Sequence, residues 1–322
     1  MKNYFSLLVL FFALGFFVPV QIIAQEDDMQ KMLDSIAAAD AAGAPKDYVR
    51  ATFKTTRIVN FPSSETTGKK LLDFRIMHRF GNVYSGSGPF LKDFLGNFFG
   101  LDGPAGIKIA FDYGINEWFT VGIGRSSYDK IVDGNVKARI LRQTTDNKMP
   151  ISMTYQGIMN VTTKEDPRKS LGIDKYAMFT SRLAYSNTLT IARKLNDNLS
   201  LAFTAFHIHY NMVDDYRDKN DIFAAGISGR YKLTARMALT FEYAYRINQY
   251  VPDKTLYQDP LSIGLDIETG GHVFQVHITN GYGINETQFI PFSTSNILKG
   301  QIKLGFNISR VFTMGKHEGS TY

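Results

Sequence analysis

The chain has 322 residues, 36 Lys plus Arg against 30 Asp plus Glu for a formal charge of +6, no cysteine, and 25 Phe and 17 Tyr beside a single Trp. The missing cysteine excludes a disulfide scaffold, a thiolate zinc site, a thiol nucleophile and an acylated lipoprotein terminus. With 44% hydrophobic and 20% charged residues there is enough apolar surface to exclude a disordered chain.

Residues 1–24 open with Lys2, run through an apolar stretch from Leu7 to Phe17, and reach Ala24 just before Gln25-Glu26-Asp27-Asp28. That pattern predicts a secretory signal peptide. Beyond it no stretch of 18 or more apolar residues occurs, which excludes a helical inner-membrane protein. The positive surplus is small and lies in no Lys/Arg block, so a nucleic-acid partner is not expected. Residues 25–60 are expected to form a periplasmic or lumen segment. Within it, Met29, Met32, Leu33 and Ile36 stand at helical spacing and predict a short helix over 26–40.

From about residue 70 the chain alternates with a period of two, which is the signature of strands. In 238–248, Leu239, Phe241, Tyr243, Tyr245 and Ile247 alternate with Ala238, Thr240, Glu242, Ala244, Arg246 and Asn248. One face is aliphatic or aromatic and the other carries charges, glycine and small polar residues. Strands are predicted at 70–81, 105–113, 118–125, 132–143, 149–162, 180–194, 199–212, 221–233, 237–248, 260–268, 272–280 and 298–312. Their length suits tilted membrane strands, and short turns alternate with longer links, as in outer-membrane barrels. A soluble sandwich gives the same alternation, so length, links and export signal together decide the choice.

The fold class expected is therefore an all-β, transmembrane, antiparallel up-and-down barrel of about twelve strands over 61–322, with a short N-terminal helix and one loop helix. A thirteenth candidate at 49–54 is assigned to a lumen or periplasmic insert, because bacterial single-chain barrels have even strand numbers. The loop helix is expected in 90–99, where Phe90, Leu91, Phe94, Leu95, Phe98 and Phe99 lie inside the first long link. It would fold into the mouth, lie on the outer leaflet or cap the barrel.

The stretch Leu72-Asp73-Phe74-Arg75-Ile76-Met77-His78-Arg79-Phe80-Gly81, followed by Phe98-Phe99-Gly100-Leu101-Asp102, resembles a family of uncharacterised outer-membrane β-barrel proteins found in Bacteroidota, as does Thr188-Leu189-Thr190-Ile191-Ala192-Arg193-Lys194. The resemblance covers most of the chain from about residue 49 and is most specific at the His-Arg-Phe-Gly step. It implies an outer-membrane barrel and brings no activity or catalytic residues. A weaker likeness to barrel subunits of Bacteroidota secretion and gliding systems rests on architecture alone, and fold analogy does not give function.

No G-x-S-x-G, H-E-x-x-H, Walker A or G-x-G-x-x-G motif is present. No catalytic residue, metal or cofactor is nominated, and the chain is not expected to be an enzyme. His78 shares a face with Phe74, Ile76 and Phe80 and reads as interfacial packing. His207 and His209 share a face that reaches the lumen only through a bulge, and a third metal ligand cannot be named. His277 reads as lumen lining, while Gly122, Gly124 and Gly226 make room inside the barrel or relieve strand curvature.

The candidate lumen-lining residues are Arg75, Arg79, Lys108, Lys137, Arg139, Arg230, Lys232, Glu242, Arg246, Asp266 and Glu268, joined by Asp73, Asp112 and Lys303. Such mixed charge fits either a cross-linked lumen or a narrow polar path favouring small anions. The expected function is a narrow channel or binding barrel for small polar, weakly anionic solutes. The alternatives are a closed structural or docking barrel with an envelope protein partner, and an outer-membrane lipid hydrolase that needs a serine near a histidine on the lipid side. Outer-membrane lipid is the expected surrounding in every case.

Overall fold

The computed structural model describes residues 48–84, 89–251 and 256–314. The chain divides into two units, Met1–Ala44 and Pro45–Tyr322, and every described residue belongs to the second. The predicted signal peptide and the helix expected over 26–40 lie outside the described residues.

Twelve antiparallel strands close into a barrel: β1 Leu71–Asn82, β2 Gly106–Asn116, β3 Phe119–Ser126, β4 Ile131–Leu141, β5 Ser152–Thr162, β6 Leu183–Lys194, β7 Leu199–Tyr210, β8 Asp221–Lys232, β9 Met237–Arg246, β10 Leu261–Thr269, β11 His272–Thr279 and β12 Lys303–Thr313. Each pairs with its sequence neighbours, and β1 pairs with β12 to close the ring. Closure removes both sheet edges, the condition for spanning hydrocarbon with strands. Alternation decides the faces. In β9, Ala238, Thr240, Glu242, Ala244 and Arg246 are buried inside, whereas Leu239 and Tyr245 are exposed outside. Ile107, Ile109 and Phe111 of β2 and Ile227 of β8 continue the outer apolar belt.

The strand count and order agree with the pattern of the sequence. Differences lie at ends where the chain tightens into a turn. The last strand begins at Lys303 rather than 298, because Ile297–Lys299 forms a 3-10 turn closed by Gly300 at φ +78°. Similarly, Phe179–Arg182 is a 3-10 turn before β6. In the Asn196-Asp197-Asn198 link, Asn196 Oδ1 accepts from the backbone N–H groups of Asn198 and Leu199. Such side-chain acceptors make a short connection stable without further packing.

The first long link carries helix α1, Phe90–Gly96, and a 3-10 turn at Phe98–Gly100. Leu91, Leu95 and Phe98 are exposed, so these side chains do not fold into the barrel mouth. Gly100 has φ +83° and lies against the Gly81 and Asn82 backbone, where a side chain would meet main-chain atoms. Only glycine combines that conformation with that approach.

The 49–54 segment is no wall strand. Residues 52–64 are buried inside the ring apart from the exposed Lys54, and a second segment, 284–290, is buried as well. The latter contains helix α2, Glu286–Phe289, in the link between β11 and β12. An interior apolar cluster joins the two: Phe61, Phe206 and Ile208 of β7, Ile222 and Ala224 of β8, Ala244 of β9, Phe289 and Ile290.

Ile227 is 55% exposed at the middle of β8, on the outer face. Replacing it with Lys is expected to cost roughly 2–4 kcal/mol, the range for a lysine at the bilayer midplane. Urea titration of the barrel in phospholipid vesicles, followed by gel mobility of unheated samples, measures this, and an unchanged midpoint would place Ile227 outside the hydrocarbon.

Candidate functional site: an occupied lumen

Residues 52–67 form a hairpin that enters the barrel and returns to β1. Ile58 N–H donates to Phe61 O at 2.9 Å, Ser63 N–H donates to Thr56 O at 3.0 Å, and Arg57 bridges to Pro62. Polar residues with high strand propensity, chiefly threonine, flank a tip of Val59 and Asn60, and asparagine suits the turn. The result is a finger rather than a wall strand. Its backbone groups lie in the interior, where each must find a partner.

At the tip, Glu242 supplies the acceptors. Its carboxylate receives the backbone N–H groups of Val59 at 3.2 Å, Asn60 at 2.9 Å and Phe61 at 2.9 Å, and the Asn60 side-chain amide at 2.6 Å. Successive N–H groups converging on one anion form a nest. Glu242 itself is 1% exposed, so this is the charge compensation available to it at the tip. Arg79 donates to Asn60 Oδ1 at 2.7 Å and to Asn307 Oδ1 at 3.0 Å. The carbonyls left over are also matched: Asn307 donates to Val59 O at 2.9 Å and Gln275 to Ile58 O at 2.5 Å.

Lower on the finger, Thr56 donates to Asp73 at 3.1 Å, and Lys137 donates to Thr56 O at 2.9 Å. Arg75 pairs with Asp112 and also reaches Thr56. Arg139 meets Glu65 at 3.4 Å, and Lys54 meets Glu268 at 2.8 Å. Glu268 and Asp266 share Arg230, at 2.9 and 3.4 Å. Thr154 donates to Ser64 O at 2.9 Å, Thr190 to Pro62 O at 3.4 Å, and Thr67 N–H donates to Thr120 at 3.0 Å. Partners thus come from β1, β3, β4, β5, β6, β9, β10, β11 and β12. The Phe61 ring completes the circuit by packing edge-on against Phe206 of β7, above the space left by Gly226 of β8.

The second inserted segment meets the finger. Arg57 pairs with Glu286 at 2.8 Å with both side chains buried, and the Phe61 and Phe289 rings stack at 5.8 Å. Lys108 pairs with Asp133 at 2.8 Å and reaches Asn285. Arg246 meets Asp259 at 3.0 Å, while Lys303 donates to Asn82 at 2.7 Å. Lys232 stands half-buried at the short-turn end of β8. Of the lumen-lining candidates, Asp73, Arg75, Arg79, Lys137, Arg139, Glu242 and Glu268 touch the finger directly. Lys108 and Arg246 touch the inserted link instead, the latter through Pro291 O at 3.4 Å.

No bulge turns His207 and His209 inward. Both ring nitrogens, His207 Nε2 and His209 Nδ1, lie 2.8 Å from Asp221 Oδ1 on the outer face, and neither makes a hydrogen bond to a serine among the described residues. This is a donor–acceptor arrangement around one carboxylate oxygen. Among the described residues no group of three or more His, Asp or Glu is disposed to hold a metal. His78 stacks on Phe306 and packs against Phe80 on the outer face, while His277 is buried inside.

The sequence offers the lumen as one of two places for residues 25–60 and for the 49–54 insert, and it names neither the wall partners of Thr52–Thr67 nor Glu286. The usable signal was local: Asn60-Phe61-Pro62 is turn chemistry set within a threonine- and serine-rich stretch.

Replacing Glu242 with Ala leaves three buried N–H groups without an acceptor, at about 1–3 kcal/mol each. Amide hydrogen exchange of Val59, Asn60 and Phe61 is expected to accelerate at least about 100-fold, with exchange in β5 unchanged. Unaltered protection at the tip would show that the carboxylate does not hold the finger.

A family model described as "Membrane bound beta barrel domain (DUF5777)" matches residues 53–312, a span that begins within the finger. No curated protein matches the sequence. Among solved structures, an outer membrane channel from Pseudomonas putida F1 is similar at 11% identity and TM-score 0.46, over 78% of this chain and 98% of that one. A NanC porin is similar at 9% identity and TM-score 0.45, over 74% and 98%. Outer membrane phospholipase A from Escherichia coli is similar at 9% identity and TM-score 0.40, over 74% and 92%. Likeness at this level carries no inference about activity. The family match extends over most of the sequence and takes in the finger from Phe53 onward, and on that ground the chain belongs to the membrane-bound β-barrel domain family.

Proposed function

We propose that this protein is an outer-membrane barrel closed at rest by its own finger, and that it serves the cell envelope as a structural or docking barrel. The observation that carries this reading is the clasp of Glu242 on the finger tip, supported by partners around the inner wall. A small twelve-strand lumen is readily filled by paired side chains, and here a hairpin and an inserted link fill it together. A permanently open path needs its polar wall to face water, whereas Arg75, Arg79, Lys137 and Glu242 face protein.

One observation favours a second reading, passage of small polar solutes once the finger withdraws. Lys137 donates to a backbone carbonyl, and Arg79 donates to carbonyls and the amides of Asn60 and Asn307. Neither has an acidic partner within ion-pair distance among the described residues. Without the finger, both would present uncompensated positive charge to the lumen and attract anions.

Planar-bilayer recording of the purified chain distinguishes these readings. The closed reading expects no discrete conductance from wild type, and steps with anion preference from a Glu242→Ala, Arg57→Ala double variant. Steady conductance from folded wild type would refute resting closure. A silent double variant whose finger is shown by hydrogen exchange to be released would remove the solute path and leave docking.

A further inference from the structure

The outer wall of β4–β6 continues the apolar belt through Val136, Tyr155, Met159 and Leu189 but is interrupted by two glycines. Gly134 and Gly157 stand at positions of the outward face, with Val136 opposite Gly157 and Gly157 opposite Asn187 in register. Where β2 presents Ile107, Ile109 and Phe111, these strands leave a groove of about 470 Å³ lined by Gly134, Val136, Gly157, Met159, Tyr185 and Asn187. A Cβ at Gly134 would meet no atom within 4 Å. The groove opens on the face that the membrane surrounds. Glycine in a strand interior weakens the strand, and at Gly157 the Tyr155 hydroxyl lies over the backbone, 3.0 Å from where a Cβ would stand.

One edge of the groove is polar. Tyr155 donates to Asn187 Oδ1 at 2.6 Å, and Asn187 Nδ2 lies 3.4 Å from His207 Nδ1. Polar side chains on a lipid-facing wall are expensive and mark sites of contact with something other than hydrocarbon.

The external tips of the same strands carry positive charge. Lys130 precedes β4, Lys164 follows β5 and Arg182 precedes β6. Arg182 donates to the backbone carbonyls of Thr162 at 3.3 Å and Lys164 at 2.9 Å, and lies over the Tyr176 ring at 5.1 Å. These contacts fix its position and leave its charge uncompensated. Lys164 pairs with Asp129 at 3.0 Å, a hydrogen bond that raises its pKa and keeps it protonated. Of the other carboxylates of this link, Asp166 pairs with Arg168 at 3.1 Å and Glu165 with Lys169 at 4.0 Å, while Asp174 accepts from the Tyr176 backbone N–H at 2.9 Å. Lys130, Lys164 and Arg182 thus stand at the tips of adjacent strands, their segments tied by Thr163 N–H donating to Lys130 O at 3.0 Å and by Arg182 donating to Lys164 O, with Asp129 paired to Lys164. Arg182 stands five residues from Asn187 along the chain, roughly 17 Å at strand rise, which is the scale from a lipid headgroup to the upper part of its acyl chain.

We propose that this face holds one phosphate-bearing lipid of the surrounding leaflet, its acyl chain in the groove over Gly134 and Gly157, its ester region beside Asn187, and its phosphate among Arg182, Lys164 and Lys130. The site lies outside the barrel and stands whether the lumen is closed or open. Charge complementarity selects the phosphate, and the open space at Gly134 selects the chain.

Native mass spectrometry of the detergent-purified full chain tests this with phosphatidylglycerol as probe. Diacylglycerol of the same chains lacks the phosphate, and glycerol 3-phosphate lacks the chains. Gly134→Trp fills the groove from open space, and Arg182→Ala with Lys164→Ala removes two charges; heat-dependent gel mobility checks that each variant is folded. The expected result is one retained phosphatidylglycerol per wild-type barrel, weakened roughly tenfold or more in either variant, with diacylglycerol and glycerol 3-phosphate each retained far less. Equal retention by wild type and both folded variants would overturn the site. Diacylglycerol retained as well as phosphatidylglycerol would overturn the assignment of the phosphate, and glycerol 3-phosphate retained as well would overturn that of the groove.

Discussion

The carboxylate of Glu242, buried inside the ring and clasped by the backbone N–H groups of Val59, Asn60 and Phe61, is the constraint around which the interior is organised. An ionised carboxylate cannot be buried without compensating donors, and a turn of backbone cannot be buried without acceptors. Each solves the other's requirement. The same logic extends outward through Asn60 to Arg79 and Asn307, so the tip and wall are satisfied as one network. Removing one member strands the others, which is why such networks hold firmly when complete and fail together.

A membrane barrel inverts the usual distribution of polarity. Lipid outside requires Ile227, Leu239 and their neighbours on the outer face, and alternation then forces charge inward. In a wide barrel water solvates that charge. Here Arg57 with Glu286, Arg75 with Asp112 and Arg230 with Asp266 pair inside the ring, and the finger and the β11–β12 link bring in the backbone partners that the wall alone lacks. Buried ion pairs of this kind are weak evidence for stability but strong determinants of a single arrangement, since a slipped finger would leave charges unmatched.

The strands were legible because their physics is local: a period of two, punctuated by turns, specifies faces and order without knowledge of partners. Glu242 and Arg79 were legible as inward residues for the same reason. What they bind was not, because the segment reads only as a periplasmic or lumen insert and no local pattern pairs its Asn60 turn with a residue 182 positions away. The pairing of Arg57 with Glu286 spans 229 positions, beyond any local pattern. The 281–297 segment reads as an external link from its length and polarity, yet Phe289 and Ile290 are buried against Phe61 and the wall. Gly226 was legible as a place needing room, and the structure supplies the occupant, the Phe61 ring.

Residence of the finger in the lumen is the claim on which the closed reading rests. The chain has no native cysteine, so a Val59→Cys variant reports the tip alone. Its labelling by a charged maleimide, in folded barrels in vesicles, tests that residence most directly. Val59 is 0% exposed, and the account predicts labelling only after denaturation, against rapid labelling of Lys148→Cys in an exposed turn. Equal labelling rates at the two positions in the folded barrel would contradict it.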